Sequence, residues 1–134
     1  MAAVTGEAMA FQYAVLRAVP RVDRGEFVNI GVIMYCQQAD FLRCAVTVDA
    51  VRLEALDPGV DLEAVRTAAE AVVAGCAVEV GSNRQNDGLA TRFGMLTAPR
   101  STVVQPSPIH AGVTTDPDRT LRELVTKLVE PHGR

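Results

Sequence analysis

Phe27-Val28-Asn29-Ile30-Gly31-Val32-Ile33-Met34-Tyr35-Cys36, then Gln37-Gln38-Ala39-Asp40, then Phe41-Leu42-Arg43-Cys44-Ala45-Val46-Thr47-Val48 is the stretch whose reading decides the fold. In its second half Leu42, Cys44, Val46 and Val48 alternate with Phe41, Arg43, Ala45 and Thr47, a period of two that marks a strand. In its first half Val28, Ile30, Val32, Met34 and Cys36 form one row, and Phe27, Asn29, Gly31, Ile33 and Tyr35 form the other. A short polar link between two such runs predicts an antiparallel pair. If the even-numbered rows share one core, an odd loop such as Gln38-Ala39-Asp40 pairs Cys36 with Leu42 and Met34 with Cys44. Cys36 and Cys44 then become diagonal neighbours, at or beyond disulfide range, so free thiols are expected.

Working outward, Phe11 to Val19 is rich in β-formers and reads as a strand ended by Pro20. The link Arg21-Val22-Asp23-Arg24-Gly25 carries turn chemistry, with Gly25 free to take a positive φ. Three strands with short links predict an antiparallel meander over 10–48. After Val48 the period changes. Asp49 to Leu56 reads as one or two helical turns, ended by Asp57-Pro58-Gly59. Asp61 can cap a second helix with Leu62, Val65, Ala69, Val72 and Cys76 on one stripe. Gly81 to Gly88 is the most polar stretch and reads as a mobile loop, and Leu89 to Leu96 as a short helix. Ser101 to Gln105 is extended, Pro106 and Pro108 restrict further pairing, and Ile109 to Val113 reads as a short strand. Asp116 as N-cap and Pro117 at the first helical position open a last helix with Leu121, Leu124, Val125 and Leu128 on its buried stripe. Asp118–Arg122 and Glu123–Lys127 are spaced as i, i+4 ion pairs.

The chain has 134 residues, 49% hydrophobic and 22% charged, which fits one globular domain with a frayed start over 1–8 and a tail over 131–134. The net charge of −3 argues against broad capture of nucleic acid. Lys127 is the only lysine beside twelve arginines. Cys36, Cys44 and Cys76 lie in apolar runs, and neither they nor His110 and His132 stand at zinc-ligand spacing, so no metal or cofactor is expected. No basic segment precedes an apolar stretch at the start, and no apolar run is long enough to span a membrane. Reduced cysteines and the missing leader pattern predict a cytoplasmic location.

Two motifs stand out. One is Arg24-Gly25-Glu26-Phe27-Val28-Asn29-Ile30-Gly31-Val32, after a strand ending in Pro. The other runs from Arg92-Phe93 through Leu96-Thr97-Ala98-Pro99-Arg100-Ser101-Thr102-Val103-Val104-Gln105-Pro106-Ser107-Pro108-Ile109-His110-Ala111-Gly112 and is followed by Asp116-Pro117. In this order they resemble the bacterial domain-of-unknown-function family DUF3037, over residues 10–130. The resemblance transfers no catalytic residue. It implies an accessory or partner role beside a HipA-like kinase.

Read physically, a Gly inside an apolar strand marks a bulge or a close approach of another segment, so Gly31 sets one of these and Asn29 is free to bond that segment or a ligand. Arg92, Arg100, Ser101, Thr102, Gln105, Ser107 and His110 bring together guanidinium, hydroxyl and imidazole groups of the kind that hold a phosphate or carboxylate. Ser101 and His110 also suggest a nucleophile and base, but no nucleophile elbow is present. The competing reading has Ser and Thr satisfying turn backbone and Arg100 pairing with a carboxylate such as Glu26. Arg100 and His110 are expected close together, beside Glu26 or Asn29. A third group, Arg43, Thr47, Asn29 and Arg17 with Phe27, Tyr35 and Phe41, has the makings of an RNA-facing sheet surface but too few aromatics for stacking.

The expected architecture is α+β: a mostly antiparallel sheet of about four or five strands, begun by the meander, with helices 61–77 and 117–130 packed on its even-residue face. Ile30, Val32, Val46 and Leu124 are expected almost fully buried. The expected function is a non-catalytic binding or accessory module with a protein partner, which the resemblance implies to be a HipA-like kinase. The alternative is a small enzyme or sensor holding a phosphorylated or nucleotide ligand through Arg92, Arg100, Ser101, Thr102, Gln105 and His110, with Glu26 and Asn29 nearby.

Overall fold

The computed structural model describes residues 6–77 and 86–131. The strands are β1 (Met9–Ala18), β2 (Val28–Cys36), β3 (Phe41–Val46), β4 (Val104–Pro106) and β5 (His110–Thr114). The helices are α1 (Ala50–Leu56), α2 (Leu62–Ala77), α3 (Asn86–Leu96) and α4 (Pro117–Leu128). The α+β architecture and antiparallel meander are as expected. The sheet runs β3-β2-β1, and the far edge of β1 pairs with β4 over Leu16–Ala18 and with β5 over Met9–Tyr13. The polar loop expected over 81–88 falls partly outside the described residues; residues 86–88 open α3.

The caps follow the sequence. The Asp49 carboxylate accepts from the Arg52 amide at the start of α1, Asp61 accepts from Ala64 at α2, and Asp116 accepts from Arg119 at α4 with Pro117 beside it. Gly25 takes φ +71, closing the turn after Pro20. The i, i+4 pairing on α4 differs from expectation. Asp118 pairs with Arg43 on β3 instead of Arg122, and Arg119 pairs with Glu123 at 3.3 Å.

The expected single even-residue face is corrected at β2. Leu16 pairs with Gly31 and Arg17 with Asn29, so Ile30 is an extra residue, a β-bulge that flips the parity of the strand. Val28, Ile30, Ile33 and Tyr35 face one side, with Ala14, Leu16, Ala18, Cys44, Leu53 of α1, Val65, Ala69, Val72 and Cys76 of α2 and Phe93 of α3. Val32, Met34 and Cys36 face the other, with Met9, Phe11, Phe41 and Leu121, Val125 and Val129 from α4 and its C-cap. Helices therefore cover both faces, and α4 lies opposite α2 rather than beside it.

Beside the bulge, β3 comes close to β2 at Gly31. A Cβ on Gly31 would sit 2.7 Å from the Ala45 carbonyl oxygen and 2.7 Å from Val46 Cγ1. Only glycine lets β3 approach this closely.

The β2–β3 register is corrected as well. Cys36 pairs with Phe41, Tyr35 with Leu42 and Ile33 with Cys44, across a four-residue link. That link closes because Asp40 takes φ +52, a left-handed turn position that Asp tolerates. Cys36 and Cys44 consequently lie on opposite faces of the sheet. All three cysteines are buried and free. Ile30 and Val32 are fully buried, whereas Val46 and Leu124 are only partly so, because each sits at the margin of its core.

Candidate functional site

The segment after α3 has two readings, donors gathered for an anion or side chains satisfying turn backbone, and its residues turn to neighbouring backbone. Arg100 is exposed and donates from Nη2 to the Met95 carbonyl at 2.9 Å and from Nε to Ala98 at 3.4 Å, closing the last turn of α3. Arg92 donates to the Cys76 carbonyl at the end of α2 at 3.4 Å. Thr102 donates to the Val104 carbonyl, and Gln105 Nε2 donates back to Thr102, both at 2.8 Å. Ser101 is exposed. Unpaired carbonyls at a helix end or in a tight turn are strong acceptors, and local donors reach them first.

Ser107 has a different task. β1 changes partner between β4 and β5, and the ladder would break at Val15. The Ser107 hydroxyl accepts from the Val15 amide at 2.9 Å and donates to the Pro108 carbonyl at 2.8 Å, while the Ser107 amide donates to the Val15 carbonyl at 2.8 Å. The side chain is thus a substitute rung of the sheet.

His110 sits opposite Tyr13 on β1 and stacks on its ring at a centroid distance of 5.1 Å. The Val103 carbonyl accepts from the Val19 amide just past the end of β1, six positions on from Tyr13. That offset amounts to about 20 Å of strand. His110 shares the Tyr13 face, which packs toward α4, whereas Arg100 is tied to α3 on the opposite face. Arg100 and His110 therefore do not converge, and the expected composite cluster is not assembled.

Glu26 pairs with Arg24, accepting from Nε at 2.9 Å and from Nη2 at 3.0 Å, not with Arg100. The Arg24 hydrogen bond, and secondarily its charge, holds the Glu26 carboxyl below its ordinary range. Asn29 bonds another segment's backbone, one of the alternatives expected for it: Nδ2 donates to the Leu128 carbonyl at 3.0 Å. Arg52 donates to the next carbonyl, Val129, at 2.8 Å, so β2 and α1 together cap the C-terminal end of α4. In the group weighed and set aside as an RNA-facing surface, Tyr35 and Phe41 are buried on opposite sides of the sheet, and Arg43 is held by Asp118.

One row does bring polar side chains together. Gln105, Arg17 and Asn29 are cross-strand partners on β4, β1 and β2 and so share a face. The Arg17 guanidinium lies over the Phe27 ring, 4.2 Å from its centroid. Its signal in the sequence was parity alone, the match of Arg17 with Asn29 across the β1–β2 turn.

A family model for DUF3037, described as a protein of unknown function, matches residues 13–129. The chain belongs to DUF3037. No curated protein and no solved structure matches it. Both motifs that carried the resemblance lie inside the matched DUF3037 region, and the structure gives each a fold-defining job: the first makes the β2 bulge and the second the partner change along β1. Among the described residues no helix is long and apolar enough to cross a membrane.

Proposed function

We propose that this DUF3037 chain is a cytoplasmic bacterial accessory module, without catalysis of its own, that docks on a HipA-like kinase through strand β5. The observation that supports the reading is the outer edge of β5. The strand pairs with β1 on one side. His110, Ala111 and Val113 are exposed, Val113 by 68%, and Ile109 just before it by 41%. Residues 109–115 carry no Asp, Glu, Lys or Arg. Edge strands are usually guarded by charge, and an unguarded one accepts an added strand through its main-chain groups. The dispersal of Arg92, Arg100, Ser101 and His110 onto separate backbone partners and faces weighs against the alternative of a ligand-binding enzyme or sensor at that cluster.

Calorimetric titration of the chain with the HipA-like kinase of its own host tests this. Saturable binding is expected for the native chain and is lost in Val113→Lys, whose unfolding midpoint stays unchanged because surface substitutions shift stability by under about 0.5 kcal/mol. No binding by the native chain refutes the partner, and undiminished binding by Val113→Lys refutes the edge.

A further inference from the structure

We propose that Arg17 is the receptor for a carboxylate carried on an apolar group, on the face of β1 that looks toward α4. The site is separate from the β5 edge and does not depend on it.

Four ion pairs hold arginines among the described residues: Arg21 with Asp23, Arg24 with Glu26, Arg43 with Asp118 and Arg119 with Glu123. Arg17 is in none of them. It is half-buried on the central strand of the sheet, and its Nε is enclosed with no hydrogen-bond acceptor. The Phe27 ring lies beneath its guanidinium, 4.2 Å from ring centroid to Cζ, and among the described residues no hydrogen bond or ion pair engages its two η nitrogens. A planar guanidinium resting on a ring, with its far end free, is matched to the two oxygens of a carboxylate.

The flanking groups narrow the ligand. Gln105 and Asn29 on either side are neutral amides, each with one amide hydrogen already given to a carbonyl and a second remaining. The row therefore offers a single uncompensated positive charge, which matches a monoanion better than a phosphate dianion. Phe27 is 43% exposed beside it, so the group bearing the carboxylate has an apolar surface to rest on. An acidic side chain of a protein and a small aromatic or aliphatic acid both have this chemistry.

The enclosed Nε–H gives a direct probe. The native chain is titrated with benzoate, with a short acidic peptide and with inorganic phosphate, against sodium chloride at matched ionic strength, while the Arg17 Nε–H correlation is followed by NMR. The expected result is a saturable displacement by benzoate or by the peptide, tighter than by phosphate and absent with chloride. The better of the two carboxylate probes tells whether the source is small or macromolecular. Phe27→Leu weakens the benzoate response. Arg17→Gln removes the saturable shifts at the Asn29 and Gln105 amides. An equal response to chloride, tighter binding of phosphate, or no saturable response to either carboxylate overturns the proposal. Should Arg17→Gln fail to fold, the native titration and Phe27→Leu decide the matter.

Discussion

Replacing Gly31 by Ala isolates the close approach that defines β2. Gly31 does not have a positive φ, so the substitution carries no left-handed backbone penalty and its effect is steric. The added Cβ meets the Ala45 carbonyl oxygen and Val46 Cγ1, each at 2.7 Å, and Val46 Cα at 3.2 Å. Val46 is only partly buried and its side chain can turn away. The Ala45 oxygen cannot, because it belongs to the β3 backbone where Val32 pairs with Ala45. Relief requires β3 to move outward by about half an ångström, and overpacking of this kind costs about 1–3 kcal/mol. Loss of chain entropy in the unfolded Ala variant returns only about 0.4–1 kcal/mol. A net loss of about 1–2 kcal/mol follows, read in urea as a midpoint lowered by about 0.5–1 M at an m value of about 2 kcal/mol per molar. Gly25→Ala is the control: its Cβ would meet open space, so any loss there comes from φ +71 alone. An unchanged or raised midpoint for Gly31→Ala would refute the close β2–β3 approach.

Ser107→Ala removes the acceptor for the buried Val15 amide and should cost about 1–3 kcal/mol in thermal or urea unfolding, whereas Ser101→Ala should be neutral within about 0.5 kcal/mol. Arg100→Ala loses exposed bonds to two carbonyls and should cost under about 1 kcal/mol; a loss of 3 kcal/mol or more by the same measurement would mean a buried ion pair that the geometry does not contain. Burial raises the Cys76 thiol to about 11 and the Cys44 thiol further, with the neighbouring Cys76 adding to the effect on Cys44. Native-state labelling by a thiol reagent should therefore be slow at neutral pH. The raised thiols contribute stability that is complete below the unfolded thiol pKa of about 8.5 and declines as pH rises from there through 11, so the unfolding midpoint should fall across that window.

The sequence pattern located the elements well and the faces less well. β1 and β3 keep their alternation, with Ala14, Leu16 and Ala18 and then Leu42 and Cys44 on the α2 side. β2 is buried on both faces, so all but Asn29 and Gly31 are apolar or aromatic and periodicity says little about direction. Gly31 did signal a bulge or a close approach, and both occur, but the flip in parity could not be counted without the register. The placement of α4 follows from that flip: once Val32, Met34 and Cys36 form a second apolar face, the Leu121 and Val125 stripe has a surface of its own. The residues of the candidate cluster stay apart for a reason that residue type does not reveal. Arg92, Arg100, Thr102 and Gln105 have the donors of an anion site, yet nearby open carbonyls at the ends of α2 and α3 and in the 102–105 turn compete for the same donors. Arg17, flanked by amides and an aromatic ring, escapes that competition.

The central claim, that the chain acts by docking its β5 edge on a protein partner, is tested most directly by amide hydrogen exchange of the chain alone and saturated with the HipA-like kinase. The account predicts new protection over residues 109–114, where the outer amides gain strand partners, and none over 98–105. Protection confined to 98–105, or no change along β5 in the saturated complex, would contradict it.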